Sequence, residues 1–266
     1  MDEPHIMIHV PTNSNTLLEQ ALERINSSEE IYTMWEMTNG TAQKRMVGWP
    51  DHGPVHFQIV ANCALRMLRI LHKHQIPLGM VKDYNLTPQH AELVVVLASL
   101  FHDFGMMINR QGHEEFSLFL AYSVMQKILD FLPVRERILV TGDTLHAIIN
   151  HRDDGRPLTV EAGIVRVADA LDMSEGRSRI PISEGGVNIH SLSHSAIDQV
   201  EILDGQHTPL EITIFMNNST GLFQVDELLK QKLKDSGIEK YCTIKAYVTG
   251  QTEKKLLTEF VLGQHS

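Results

Sequence analysis

Cysteine is scarce in this chain: Cys63 and Cys242 are the only two among 266 residues, far apart in sequence and set in apolar surroundings. A disulfide framework is therefore excluded as the source of stability, and two reduced core thiols in a reducing cytoplasm are expected. Basic charge is also in short supply, with 23 Lys and Arg against 33 Asp and Glu and a net charge of −10. That balance excludes a protein that grips nucleic acid non-specifically by neutralising phosphates. Long apolar runs are missing too. The longest, 93–101, is about half a membrane span, and residues 1–10 lack a basic region followed by an apolar stretch, so a cytoplasmic protein without a membrane partner is expected. Against these shortages stand a 42% hydrophobic content, ample for a self-sufficient core, and 15 histidines.

Apolar periodicity divides the chain. Helical spacing runs through 15–37, with a second start at Ser27-Ser28-Glu29-Glu30, and through 55–74. Thr87-Pro88 offers an N-cap and a first-turn proline for a helix over 89–104 that is apolar nearly all round and therefore central. Helices are also expected over 114–132, over 134–150 with a break near Gly142-Asp143, and over 159–173. The segment 176–193, rich in Gly, Ser, Pro and Arg, reads as a loop or boundary. Beyond it, alternation over 199–203, 210–216 and 241–248 predicts strands, with a helix over 225–234. The expected fold is mainly α: a helical domain over 1–190 followed by a small α+β domain over 191–266.

Polar residues on apolar helix faces mark the chemistry. His56 is followed at one and two turns by Val60 and Ala64, so it points toward the core edge. Asp169 lies on an equally apolar face, where an unpaired charge is very costly; Arg166, three residues earlier, is one available partner, and a metal is another. His102-Asp103 sits where the central helix stops. Asp103 there has a plain reading as a helix-end residue with Gly105 at C′. It also has a chemical one, since ending the helix lets two neighbours about 100° apart converge on one ion.

The segments Asp51-His-Gly-Pro-Val-His56, Leu100-Phe-His-Asp-Phe-Gly105 and Ile164-Val-Arg-Val-Ala-Asp-Ala-Leu171, in that order, resemble the HD superfamily of metal-dependent phosphohydrolases over about residues 51–173. The resemblance implies an HD-type helical domain with His56, His102, Asp103 and Asp169 as metal ligands, and Asp103 bridging or orienting a water. His52, one turn before His56, is an alternative or supporting residue in poorer register. Two imidazoles and two carboxylates suit Mn²⁺, Fe²⁺, Co²⁺, Ni²⁺ or Zn²⁺ and tolerate Mg²⁺. One or two ions are expected, the number turning on His113, His146 and His151. With Asp103, these three form the candidate catalytic set, each weighed against a surface or capping role; His146 and His151 share one site only if their helix ends between them. Arg152, Arg177 and Arg179 are the candidate phosphate contacts, against an ordinary solvated or paired role.

The implied function is hydrolysis of a small phosphorylated substrate, a nucleotide among the candidates. Gly155-Arg-Pro157 stands where the cyclic-dinucleotide-cleaving branch carries Gly-Tyr-Pro, which argues against that substrate. The alternatives are a metal-retaining scaffold without turnover and a metal-dependent oxygenase on the same fold. For the C-terminal unit, which offers no recognisable ligand signature, the expectation is a homo-oligomer surface, a lid or a regulatory site.

Overall fold

Eleven of the fourteen residues of the helix Pro88–Phe101 are buried, from His90 to Phe101, and the rest of the molecule is arranged around it. The computed structural model describes residues 6–42, 52–173, 196–248 and 260–262. In chain order the described helices are α1 (Thr16–Asn26), α2 (Glu29–Gly40), α3 (Pro54–Lys73), α4 (Gly79–Tyr84), α5 (Pro88–Phe101), α6 (His113–Ile128), α7 (Val134–Asn150) and α8 (Val160–Leu171). The polypeptide between 173 and 196 lies outside the described residues, and with it the expected boundary at 190.

Local signals explain most of the helix starts. The Asn15 side chain accepts the Leu17 and Leu18 N–H groups, both at 3.1 Å, and opens α1. Ser28 accepts the Ile31 N–H at 3.3 Å to open α2, and Thr159 accepts the Ala162 N–H at 3.2 Å to open α8. Proline occupies the first position of both α3 and α5. The expected break in α7 does not occur. Gly142 meets open space, and its cost of about 1 kcal/mol is outweighed by burial of Val140, Ala147 and Ile148 on the face toward α5.

Past residue 196 come β1 (Ile197–Asp204), β2 (Leu210–Met216), β3 (Cys242–Val248) and β4 (Phe260–Leu262), paired in that order in one sheet. β1–β2 and β3–β4 are antiparallel, but β2 and β3 run parallel, from Leu210 opposite Cys242 to Met216 opposite Val248. Parallel neighbours require a crossover. Here it is a wide-turned π-type helix, Gln224–Leu229, continued by α9 (Lys230–Leu233), where a helix over 225–234 was expected. The fold is thus mainly α with a small C-terminal α+β unit. Apolar packing continues from α3, α5 and α8 into Ile197, Ile212, Ile214, Val225 and Leu229. The segment Pro88–Met107 is long and apolar enough to cross a membrane but is 89% buried as the core helix.

Candidate metal centre

The helix α5 ends at Phe101, and the backbone turns at Asp103 (φ −101°, ψ 8°) into a short 3-10 turn, Phe104–Met107. Ser117 on α6 fixes that turn: its Oγ donates to the His102 carbonyl at 2.6 Å and accepts the Gly105 N–H at 2.8 Å. Gly105 corrects the C′ expectation. The positive-φ glycines among the described residues are Gly112 and Gly237, so Gly105 is not there for a left-handed cap. A Cβ on it would lie 1.9 Å from the His113 carbonyl oxygen. Glycine is needed so that the start of α6, with His113, can press against the turn that carries Asp103.

Three helices then bring four polar atoms together. His56 Nε2 (α3) and His102 Nε2 lie 3.3 Å apart, and Asp169 Oδ1 (α8) stands 3.5 Å from each. Asp103 Oδ2 is 3.4 Å from His102 Nε2 and 3.8 Å from His56 Nε2. A cation bound at about 2.1 Å sets its ligand atoms about 3.4 Å apart in a tetrahedral shell and about 3.0 Å apart in an octahedral one. Both histidines are oriented as ligands. His56 Nδ1 is 2.7 Å from Asp172 Oδ2, and His102 Nδ1 is 2.9 Å from the Ser99 carbonyl. Donating Nδ1–H to those oxygens leaves each Nε2 with a lone pair, the arrangement that supporting hydrogen bonds impose on metal-binding imidazoles. Two lone pairs facing each other at 3.3 Å in a buried site repel unless a cation or a proton lies between them. The donor set therefore fits a divalent ion.

Asp103 faces two ways. Its Oδ2 looks into this cluster and also lies 2.7 Å from His52 Nδ1, while Oδ1 is 3.1 Å from His113 Nε2 and 3.6 Å from His151 Nε2. His151 is presented because α7 stops at Asn150 and the imidazole, through Nδ1, bonds the Ile148 carbonyl at 2.6 Å. His113 makes the same local bond to the Arg110 carbonyl at 2.8 Å. Ligand atoms lie within 4.8 Å of one another in each of the sets His56/His102/Asp169, His102/Asp103/His151, His52/His56/Asp103 and His113/Glu114/His151.

Electrostatics follow this layout. Although burial opposes it, Asp103 and Asp169 push the His102 imidazole up to about 10. Burial would raise Asp103, yet His102 and His52 hold it well below the usual carboxylate range. Burial, helped by His102 and Lys232, pushes His151 well down and keeps it neutral.

Some candidates lie elsewhere. The ring of His146 is turned to the following loop, its Nε2 accepting the Leu158 N–H at 3.0 Å and its Nδ1 3.1 Å from Asn150 Nδ2. The helix does end between His146 and His151, but only His151 reaches the cluster. Arg152 is held at the surface by Asp154 and by Glu115, the latter at 2.8 Å. Arg177 and Arg179 lie outside the described residues. Arg166 is not the partner of Asp169; it bonds the carbonyls of Gly155, Asp153 and Gln231.

Two residues were given no role at the sequence level. Asp172, one turn beyond Asp169, carried a legible signal in that spacing. Lys232, whose Nζ is 3.4 Å from Asp169 Oδ2, carried none.

Fold and cluster together define a helical protein whose core encloses a His/Asp centre of metal-binding type. The HD domain family model matches residues 60–174. A relative from Methanocaldococcus jannaschii, the uncharacterized protein MJ1020, is 36% identical over 241 residues, covering 90% of this chain and 92% of its own length. The chain belongs to the HD domain family, whose members bind divalent metals and are generally metal-dependent hydrolases. The match begins four residues after His56, so the place of that histidine rests on the geometry. No solved structure matches the chain.

Proposed function

We propose that this chain is a metal-dependent phosphohydrolase acting on a small phosphorylated substrate, with nucleotides among the candidates. The observation that carries the reading is the pair of opposed Nε2 atoms of His56 and His102, 3.3 Å apart and flanked by Asp103 and Asp169. These four residues would hold a divalent ion. Such an ion lowers the pKa of water and offsets charge on a phosphoryl group.

The protein's own groups supply the rest. Asp172 and the Ser99 carbonyl fix the imidazole tautomers. The second oxygen of Asp103, with His113 and His151 beside it, supports a two-ion form in which Asp103 serves both. In a one-ion form His113 is placed for proton transfer, since its Nε2 faces Asp103 Oδ1 at 3.1 Å. His146 is read as a loop-holding residue. The C-terminal sheet is a candidate surface for homo-oligomer formation.

Metal analysis of protein purified without added ions is expected to find a transition metal at near-stoichiometric amounts. A panel of phosphomonoesters, nucleotides and cyclic nucleotides with Mn²⁺ or Co²⁺ is expected to yield phosphate release that Asp169→Ala abolishes. Release unchanged by that substitution would refute the mechanism; metal uptake without turnover of any substrate would favour a scaffold.

A further inference from the structure

Every third residue along one face of α8 meets the crossover between β2 and β3. Gly163 lies so close to it that a Cβ would stand 2.2 Å from the Ser236 carbonyl. Arg166 donates to the Gln231 carbonyl at 3.2 Å. Asp169 meets Lys232. The metal-type cluster is therefore roofed on this side by a segment that begins more than fifty residues after the last HD-type motif.

Lys232 is buried, and its ammonium group has three acceptors: Asp169 Oδ2 at 3.4 Å, Asp153 Oδ1 at 3.3 Å and the His151 carbonyl. An ammonium has three hydrogens to give, so this group is committed to the protein and is not waiting for a substrate phosphate. Two of these partners, the largely buried Asp169 and the buried His151, are parts of the centre. Asp169 turns Oδ1 to the rings of His56 and His102 and Oδ2 to Lys232, while Lys232 also grips the backbone carbonyl of His151. With the guanidinium of Arg166 tying Gln231 to the 153–155 loop, the position of Lys232 is itself fixed.

We propose that Lys232 is a positioning residue of the metal centre: it holds Asp169 so that one carboxylate oxygen faces the histidines and fixes the end of α7 that presents His151. The C-terminal unit thereby completes the centre. This inference rests on the proposed metal-dependent hydrolysis. It predicts that loss of Lys232 alters how the ion is held more than whether it is held, because Asp169 keeps its charge and gains a second free oxygen.

The full chain is loaded with Co²⁺, and metal content, visible absorption, kcat and KM are compared for wild type, Lys232→Met and Lys232→Arg. Lys230→Met serves as the control, since Lys230 pairs with Asp226 at the surface. For Lys232→Met we expect metal content near wild type, a changed Co²⁺ spectrum and kcat lower by about tenfold or more at a KM within about threefold. Lys232→Arg, which keeps charge and donors, is expected to restore the spectrum and most of kcat. A Met variant with wild-type spectrum and kcat overturns the proposal, as does an Arg variant as impaired as Met. Should the Met variant fail to fold, Lys232→Gln takes its place with the same readouts; if Gln also fails, Lys232 is a structural strut only and the proposal falls. A wild-type chain that binds no Co²⁺ sinks the underlying hydrolase reading instead, which keeps the two failures apart.

Discussion

Two acidic sites lie along α7 and α8, and they behave in opposite ways. In the turn that follows α5 and near the end of α8, Asp103 and Asp169 are surrounded by imidazoles and Lys232, and both are held well below the usual carboxylate range despite burial. On α7, Asp143 is 6% exposed and faces Glu161 and Asp83. Burial first, then those like charges, push it up to about 7. Among the described residues, Asp143 Oδ2 and the hydroxyls of Thr141 and Thr144 have no hydrogen-bond partner. Glu161 is better placed: it accepts the Gly79 and Met80 N–H groups at 2.9 and 3.0 Å and so anchors α4. Burial alone does not make a carboxylate a ligand. What separates the sites is the company, imidazoles and an ammonium that favour the charged carboxylate in one and further carboxylates in the other.

The contrast can be broken from either side. Replacing His102 and Asp103 together by Ala should reduce bound metal to less than about a tenth and hydrolysis by about a thousandfold, read by elemental analysis and phosphate release. Gly105→Ala forces the turn away from the His113 carbonyl, and chemical denaturation should show a loss of about 3 kcal/mol. Asp172→Asn keeps the shape but weakens the hold on His56 Nδ1. Metal competition titration should show affinity down by about 10–100-fold with little change in melting temperature.

On the other side, Asp143 has a folded pKa of about 7 against an ordinary value of 3.8. The folded state thus binds its proton more tightly than the unfolded state, and stability is lost as pH rises from near 4 through 7. Asp143→Asn should stabilise by about 1–2 kcal/mol at pH 8, the gain shrinking toward pH 4 in a series of melts, with metal content unchanged. The smallest effect is expected of Arg152→Ala, whose pairs with Asp154 and Glu115 lie at the surface where solvent screens them, so melting temperature and kcat/KM should stay near wild type. A large fall in its kcat/KM would restore Arg152 as a substrate contact.

Legibility in the sequence followed the range of the interactions. The central α5 could be read from its apolar run, and α1, α2 and α8 from caps within three residues of their starts. His56 and Asp169 stood out as polar interruptions of apolar faces and His102-Asp103 as a pair at a helix stop, while their joint role as ligands came from the resemblance to HD-type motifs. The short α4 was not, for its anchor, Glu161, lies 82 residues beyond Gly79. Gly105 was noticed for the wrong reason: a glycine after a helix suggests a left-handed cap, whereas its neighbour in space is the His113 carbonyl. His146 and His151 were indistinguishable as residue types, and only the stop of α7 separates them. Lys232 had no local signature, since a lysine in a helix of mixed charge is ordinary until its crossover is docked.

That crossover also bears on the order in which the molecule assembles. A chain emerging from the ribosome can bury α1 to α8 among near neighbours, but β2 cannot be joined in parallel by β3 until the residues after 242 have appeared. The cover over Asp169 therefore closes late. Until then Asp169 lacks its Lys232 partner, and the end of α7 lacks the bond from Lys232 to the His151 carbonyl.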